Sequence, residues 1–297
     1  MIVISILFLC LLLFFPETAL AGSKYGAALW ITQLLPTLLP FFIAIRLFDS
    51  CLPRVTQSRI FLLTGILCGY PAGATLVANQ YDKGLLSRKQ AYFYLGFVNN
   101  PSPMFVLVFC GATILGTDSR QSALLFLFLI LSSLAGSLLF LLLASVPHLP
   151  GHTYFAYRNR TQPICITEGA TTAADSLSGR LDRIILDSFL LLVKIGGYVI
   201  IFSIFGQFIS RFPGSSPSAR ILCSGLLEIT SGVSYLQAAA INFCTKKALM
   251  LAILSFGGLS AAAQTGSVLA RSELSIFPYL MIKAGNSILA WLLIIFF

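Results

Sequence analysis

The chain has 297 residues, of which 57% are hydrophobic and only 10% charged, with a net charge of +9 and a mean hydropathy of +0.91. A soluble domain carries about 25% charged residues, so this composition excludes a single water-soluble core and describes a polytopic protein of the lipid bilayer. The excess of Lys and Arg falls in short loops, where it sets topology, and no aromatic-interleaved basic patch points to nucleic acid.

An apolar run to Phe15 is followed by TALAGS, a pattern similar to a signal-peptide cleavage site at Ala19-Leu20-Ala21. The run has no Lys or Arg before it, which favours an uncleaved N-terminal span over residues 1–25. A second span covers 26–48, with Pro36 and Pro40 freeing carbonyls along it and Arg46 and Asp49 closing its polar end. Residues 59–80 read RIFLLTGILCGYPAGATLVANQ. Two arms of roughly ten residues at about 1.5 Å rise each are too short to cross a bilayer separately. They suit a re-entrant helical hairpin turning at Gly69, Tyr70, Pro71 and Gly73; a single kinked span is the alternative.

Ser87 with Gln90 three residues on marks a helix start. The next span, 92–115, meets Asn99-Asn100-Pro101-Ser102-Pro103 halfway, and 122–146 is an uninterrupted lipid-facing helix. Residues 147–187 are a polar linker with amphipathic helix towards Asp187. His148 and His152 lie in it with no carboxylate or Cys between them, which reads as loop rather than metal site. The second half restarts with a span at 188–208 carrying Lys194, followed by a turn-rich loop. A second hairpin at 221–243 comes next, then a span at 248–269 broken around Gly257 and Gly258. The last span, 276–297, is interrupted by Lys283, Gly285 and Asn286.

The chain thus says nearly the same thing twice. ILCGYPAGATLVANQ followed by FVNNPSPMF is matched by ILCSGLLEITSGVSY followed by SFGGLSAAAQ. Apolar segments interrupted at corresponding places in two halves point to a transporter-like site at the repeat interface. The expected fold is all-α: a polytopic helical membrane protein with two structural repeats, 26–146 and 188–297. Each repeat carries one re-entrant hairpin and one broken transmembrane helix, and the two are inverted. Arg54, Arg59, Lys83, Arg88 and Lys89 place the first hairpin's ends in the cytoplasm. Inversion puts those of the second outside, although Arg211, Arg220, Lys246 and Lys247 flank them.

Glu228 is the only acid deep inside an apolar segment. A charge at the bilayer centre costs about 2.5–3.5 kcal/mol on insertion scales, so it should face a cavity or a partner, with Lys194 and Lys283 as candidates. Thr230 and Ser231 add hydroxyls beside it. Around Asn99, Asn100 and Ser102 the prolines remove N–H donors, so carbonyls and amides there must find partners or a solute. Ser260 and Gln264 on the second broken span complete the expected solute-binding set. No cofactor is expected. No nucleophile–base set, phosphate loop or HExxH motif supports an enzyme.

CGYPAGATLVANQYDKGLLSRKQAYFYLGFVNNPSPMF, KIGGYVIIFSIF, LLEITSG and FGGLSAAAQ resemble, in order and spacing, the sporulation integral membrane protein YlbJ family. The resemblance covers essentially the whole chain. It implies a nucleoside-recognition (Gate) domain and kinship with spore maturation proteins. More distantly it implies kinship with concentrative nucleoside transporters, whose inverted repeats carry re-entrant hairpins. It also implies a multi-pass protein of the cell membrane in a spore-forming bacterium. Two function classes follow: a transporter or channel for a small polar solute, nucleoside-like or an ion, or a non-transporting scaffold of a spore-envelope complex. Expected partners are the lipid bilayer, that solute or ion, and further copies of the chain or other sporulation membrane proteins.

Overall fold

The computed structural model describes residues 2–51, 54–143, 177–210 and 217–295. The polar linker expected at 147–187, with His148 and His152, lies outside the described residues as far as residue 176. Among the described residues there are helices and no strands.

The N-terminal region corrects the expected boundaries. Helix α1 (Ile2–Phe14) has 13 residues. It stops at Phe15, whose φ of −131° and ψ of 57° are not helical, because the residue before a proline is sterically driven out of the α region. From Pro16 the chain runs as one 35-residue apolar helix to Ser50 instead of separate spans at 1–20 and 26–48. This helix comprises α2 (Pro16–Leu29), a π-helical turn (Trp30–Leu34) and α3 (Leu35–Ser50). The amide of Leu35 reaches back to Trp30. The widened turn lets Pro36 enter without breaking the rod.

Helix α8 (Leu177–Ser210) runs antiparallel to this rod. Gly22 backs onto Ile204 and Gly26 onto Ile200, and the Trp30 indole donates to the Leu192 carbonyl at 2.9 Å. Further along, Arg46 pairs with Asp187 at 3.6 Å.

After each long helix the same order of elements follows. The first half has α4 (Arg54–Cys68) and α5 (Ala72–Asp82), then α6 (Arg88–Val98) broken from a π-helical stretch (Phe105–Leu115), then α7 (Ser119–Leu143). The second has α9 (Pro217–Leu227) and α10 (Ile229–Ala238), then α11 (Phe243–Phe256) broken from α12 (Gly258–Leu269), then α13 (Ile276–Ile295). Ser87 caps α6 in a capping box with Gln90. The arms α4 and α5, and likewise α9 and α10, pack on each other. They are hairpins and not single kinked spans.

Among the described residues, five helices are long and apolar enough to cross a membrane: Pro16–Ser50, Ser119–Leu143, Ser178–Ile209, Phe243–Leu269 and Ile276–Ile294. Leu124, Leu127, Leu131 and Leu138 of α7 point outward, as lipid contact requires. The chain is an all-α, multi-pass membrane protein.

The second hairpin closes on two glycines. A Cβ on Gly232 would collide with the Cα and N of Gly225, so the arms touch backbone to backbone. Gly232→Ala must separate them, and overpacking of this kind costs about 1–3 kcal/mol. Gly197→Ala, where a Cβ meets nothing within 4 Å, should be neutral or slightly stabilising. Thermal unfolding of the two purified variants in detergent checks the contrast; equal midpoints would contradict the glycine contact.

Candidate solute site

A cavity of about 60 Å³ lies where both hairpin turns and both helix breaks converge. Cys68 and Tyr70 enter from the first hairpin, and Glu228 and Thr230 from the second. Pro101 and Ser102 come from the first break, and Ser260 and Gln264 from the helix after the second. Phe42 of α3 and Val199 of α8 wall the sides. The volume holds a few water molecules. Pockets for larger organic ligands occupy roughly 300–1,000 Å³, several times this volume.

Each turn is seated on the break of its own half. Gly69, at φ +69°, lies so close to the first break that a Cβ would come within 2.9 Å of the Asn100 carbonyl oxygen. In the second half the Leu227 carbonyl faces Gly258. Tyr70 crosses between halves: a side chain on Gly257 (φ +88°) would collide with the Tyr70 hydroxyl. That hydroxyl lies beside the Tyr279 hydroxyl but outside hydrogen-bond geometry.

Glu228 is only 2% exposed and is the N-cap of α10. Its two carboxyl oxygens accept from the Thr230 amide at 2.9 Å and the Ser231 amide at 2.6 Å. A helix N-terminus presents unpaired N–H groups and a partial positive charge, which an acid satisfies without a basic partner. The expectation that Lys194 or Lys283 would pair with Glu228 is therefore corrected. Ser231 turns away, its hydroxyl 3.0 Å from that of Ser203 on α8.

The Asn pair belongs to a neighbouring network. Asn99 is fully buried; its Oδ1 accepts from the Ala74 amide at 3.2 Å. Its Nδ2 donates to Thr265 at 2.8 Å and Tyr279 at 3.0 Å. Asn100 donates to the Phe97 carbonyl at 2.7 Å and accepts from Ser133 at 3.1 Å and the Lys283 ammonium at 2.7 Å. Ser102 Oγ accepts from the Phe105 amide at 3.3 Å and starts the continuing helix.

Five of the eight expected solute-binding residues, Ser102, Glu228, Thr230, Ser260 and Gln264, thus line one cavity. Asn99, Asn100 and Ser231 do not. Asn99 still reaches the second broken span, at Thr265. Thr265 and Tyr279 were not singled out by sequence, and Lys283 was assigned the wrong partner. The available signal was the spacing of Tyr279, Lys283 and Asn286, which puts one polar stripe on an otherwise apolar α13.

Compared with known proteins, the chain is similar to the sporulation integral membrane protein YlbJ of Bacillus subtilis (strain 168). Identity is 24% over 330 aligned positions, covering 93% of this chain and 76% of the relative. This supports the YlbJ-family resemblance read from the motifs. The chain matches no family model and no solved structure.

Asn99 joins three elements through three hydrogen bonds, so Asn99→Leu should leave the Ala74 amide and two hydroxyls without this partner. A buried group left unsatisfied costs about 1–3 kcal/mol. The variant should unfold at clearly lower temperature or denaturant concentration than wild type, while Gln80→Leu, half-buried near the end of α5, should change little.

Proposed function

We propose, from the kinship with a sporulation membrane protein and from the cavity between the hairpins, that this chain serves sporulation. In this reading it is a membrane transporter or channel that moves a small polar solute without transforming it. The carrying observation is the convergence of two hairpin turns, two helix breaks and a buried acid on one cavity. Helices are interrupted at membrane depth only where the freed backbone is buried in protein or lines a passage. A scaffold gains nothing from two such interruptions meeting. Solutes that fit this chemistry are nucleoside-like molecules or ions, with Ser102, Thr230, Ser260 and Gln264 offering hydrogen bonds and Glu228 a carboxyl group.

The halves are read as an inverted repeat. Support comes from the matching order of elements and from the antiparallel course of the two long helices that open the halves. The hairpins then open to opposite sides of the membrane. A cysteine introduced at Gly84 beyond α5 and the exposed native Cys244, each as the sole cysteine, should react with an impermeant thiol reagent from opposite faces of sealed vesicles. Labelling of both from one face would rule inversion out.

Glu228→Gln keeps the shape and one of the two capping acceptors, a loss of about 1 kcal/mol, but cannot carry charge. Uptake by purified protein in liposomes, screened against nucleosides, nucleobases and cations, should fall at least tenfold in this variant at unchanged membrane levels. The heat resistance of spores should fall with it. Wild-type spores from Glu228→Gln cells would leave Glu228 as a helix cap only. Wild-type protein that moves none of these solutes, yet is required for resistant spores, would favour the scaffold.

A further inference from the structure

We propose that the first helix break is a monovalent-cation site whose resident cation is the chain's own Lys283 ammonium, tethered there in place of a metal ion. Lys283 is fully buried in α13. Its Nζ donates to Asn100 Oδ1 at 2.7 Å and towards the Asn99 carbonyl at 3.4 Å. It also lies 5.5 Å from the centroid of the Tyr70 ring. No carboxylate pairs with it among the described residues, where Glu228 is taken up by its own helix. The Lys283 side-chain nitrogen therefore sits in a shell of neutral oxygens and one aromatic face.

That shell suits a weakly held monovalent cation. Asn99 is the C-cap of α6, so the ammonium meets the negative end of a half-helix dipole. Unwound carbonyls and half-helix C-termini at midplane breaks are what coordinate small cations in transporters, and a ring face adds cation–π attraction. A buried charge at this depth is costly, and a leucine would pack α13 more cheaply. The cation's position gives it a use: Tyr70 has Lys283 on one side and lines the Glu228 cavity on the other. The influence on solute passage rests on the transporter reading. Occupancy of the site does not.

The test is the thermal midpoint of purified protein at equal ionic strength in sodium, potassium, lithium, methylammonium or choline chloride. Wild type should melt at one temperature in all five. Lys283→Ala should melt lower in choline and regain about 3 °C or more, saturably, in at least one of the small cations. Adding Asn100→Leu should abolish that gain. Equal midpoints of folded Lys283→Ala in every salt would overturn the proposal. So would a Lys283→Ala protein that no salt allows to fold, or a gain in Lys283→Ala that wild type shows equally in the same salt. Failure of solute transport would leave all of these midpoints unchanged, so the two readings fail separately.

Discussion

A backbone amide or carbonyl released from a helix inside an apolar protein has no water to turn to, and each unmet group costs free energy. That constraint organises everything around the two breaks. Glu228 takes two free amides of α10, Ser102 one amide of the helix after the first break, and Asn100 the Phe97 carbonyl. Glycines bring turn and break into backbone contact, leaving little room for lipid between them. The cavity is what remains once these demands are met.

The two halves meet the same demand with different chemistry. In the first, prolines unwind the chain over several residues, and two asparagines, Ser133 and Lys283 fill the gap. In the second, the interruption is a pair of left-handed glycines, Gly257 and Gly258, and the neighbouring space is occupied by the Tyr70 hydroxyl from the other half. Asn99 ties α5, α12 and α13 together through one side chain. The halves interlock through side chains that reach across, and not only through helix faces.

What could be read from the sequence follows from how local each signal is. Gly69-Tyr70-Pro71 and Asn99-Asn100-Pro101-Ser102-Pro103 punctuate the chain wherever they occur, so both interruptions were visible without neighbours. Ser87 and Gln90 named a helix start that three residues decide. The first helix was misjudged because hydropathy is continuous through Phe15, and only the steric effect of Pro16 divides it. The partners of Glu228 and Lys283 depend on the rotation of α10 and α13 about their axes, which apolar periodicity leaves nearly free in helices apolar on most faces. Charge complementarity suggested a lysine for Glu228; an adjacent helix end proved the nearer source of positive potential. The five cavity residues were legible as polar groups in apolar runs, whereas their separation from Asn99 and Asn100 is a matter of tertiary direction.

The contact between Asn100 and Lys283 spans 183 residues, and that distance has a consequence for how the protein is made. At about 5–20 residues per second, the ribosome makes the first break roughly 10–40 s before it adds the lysine that completes it. Throughout that interval the nascent first half holds Asn100 without its ammonium, and Asn99 without Thr265 and Tyr279. The contacts that hold the break in place are complete only once α13 is inserted. Maturation therefore runs backwards along the chain: α13, made later, finishes a site synthesised well before it.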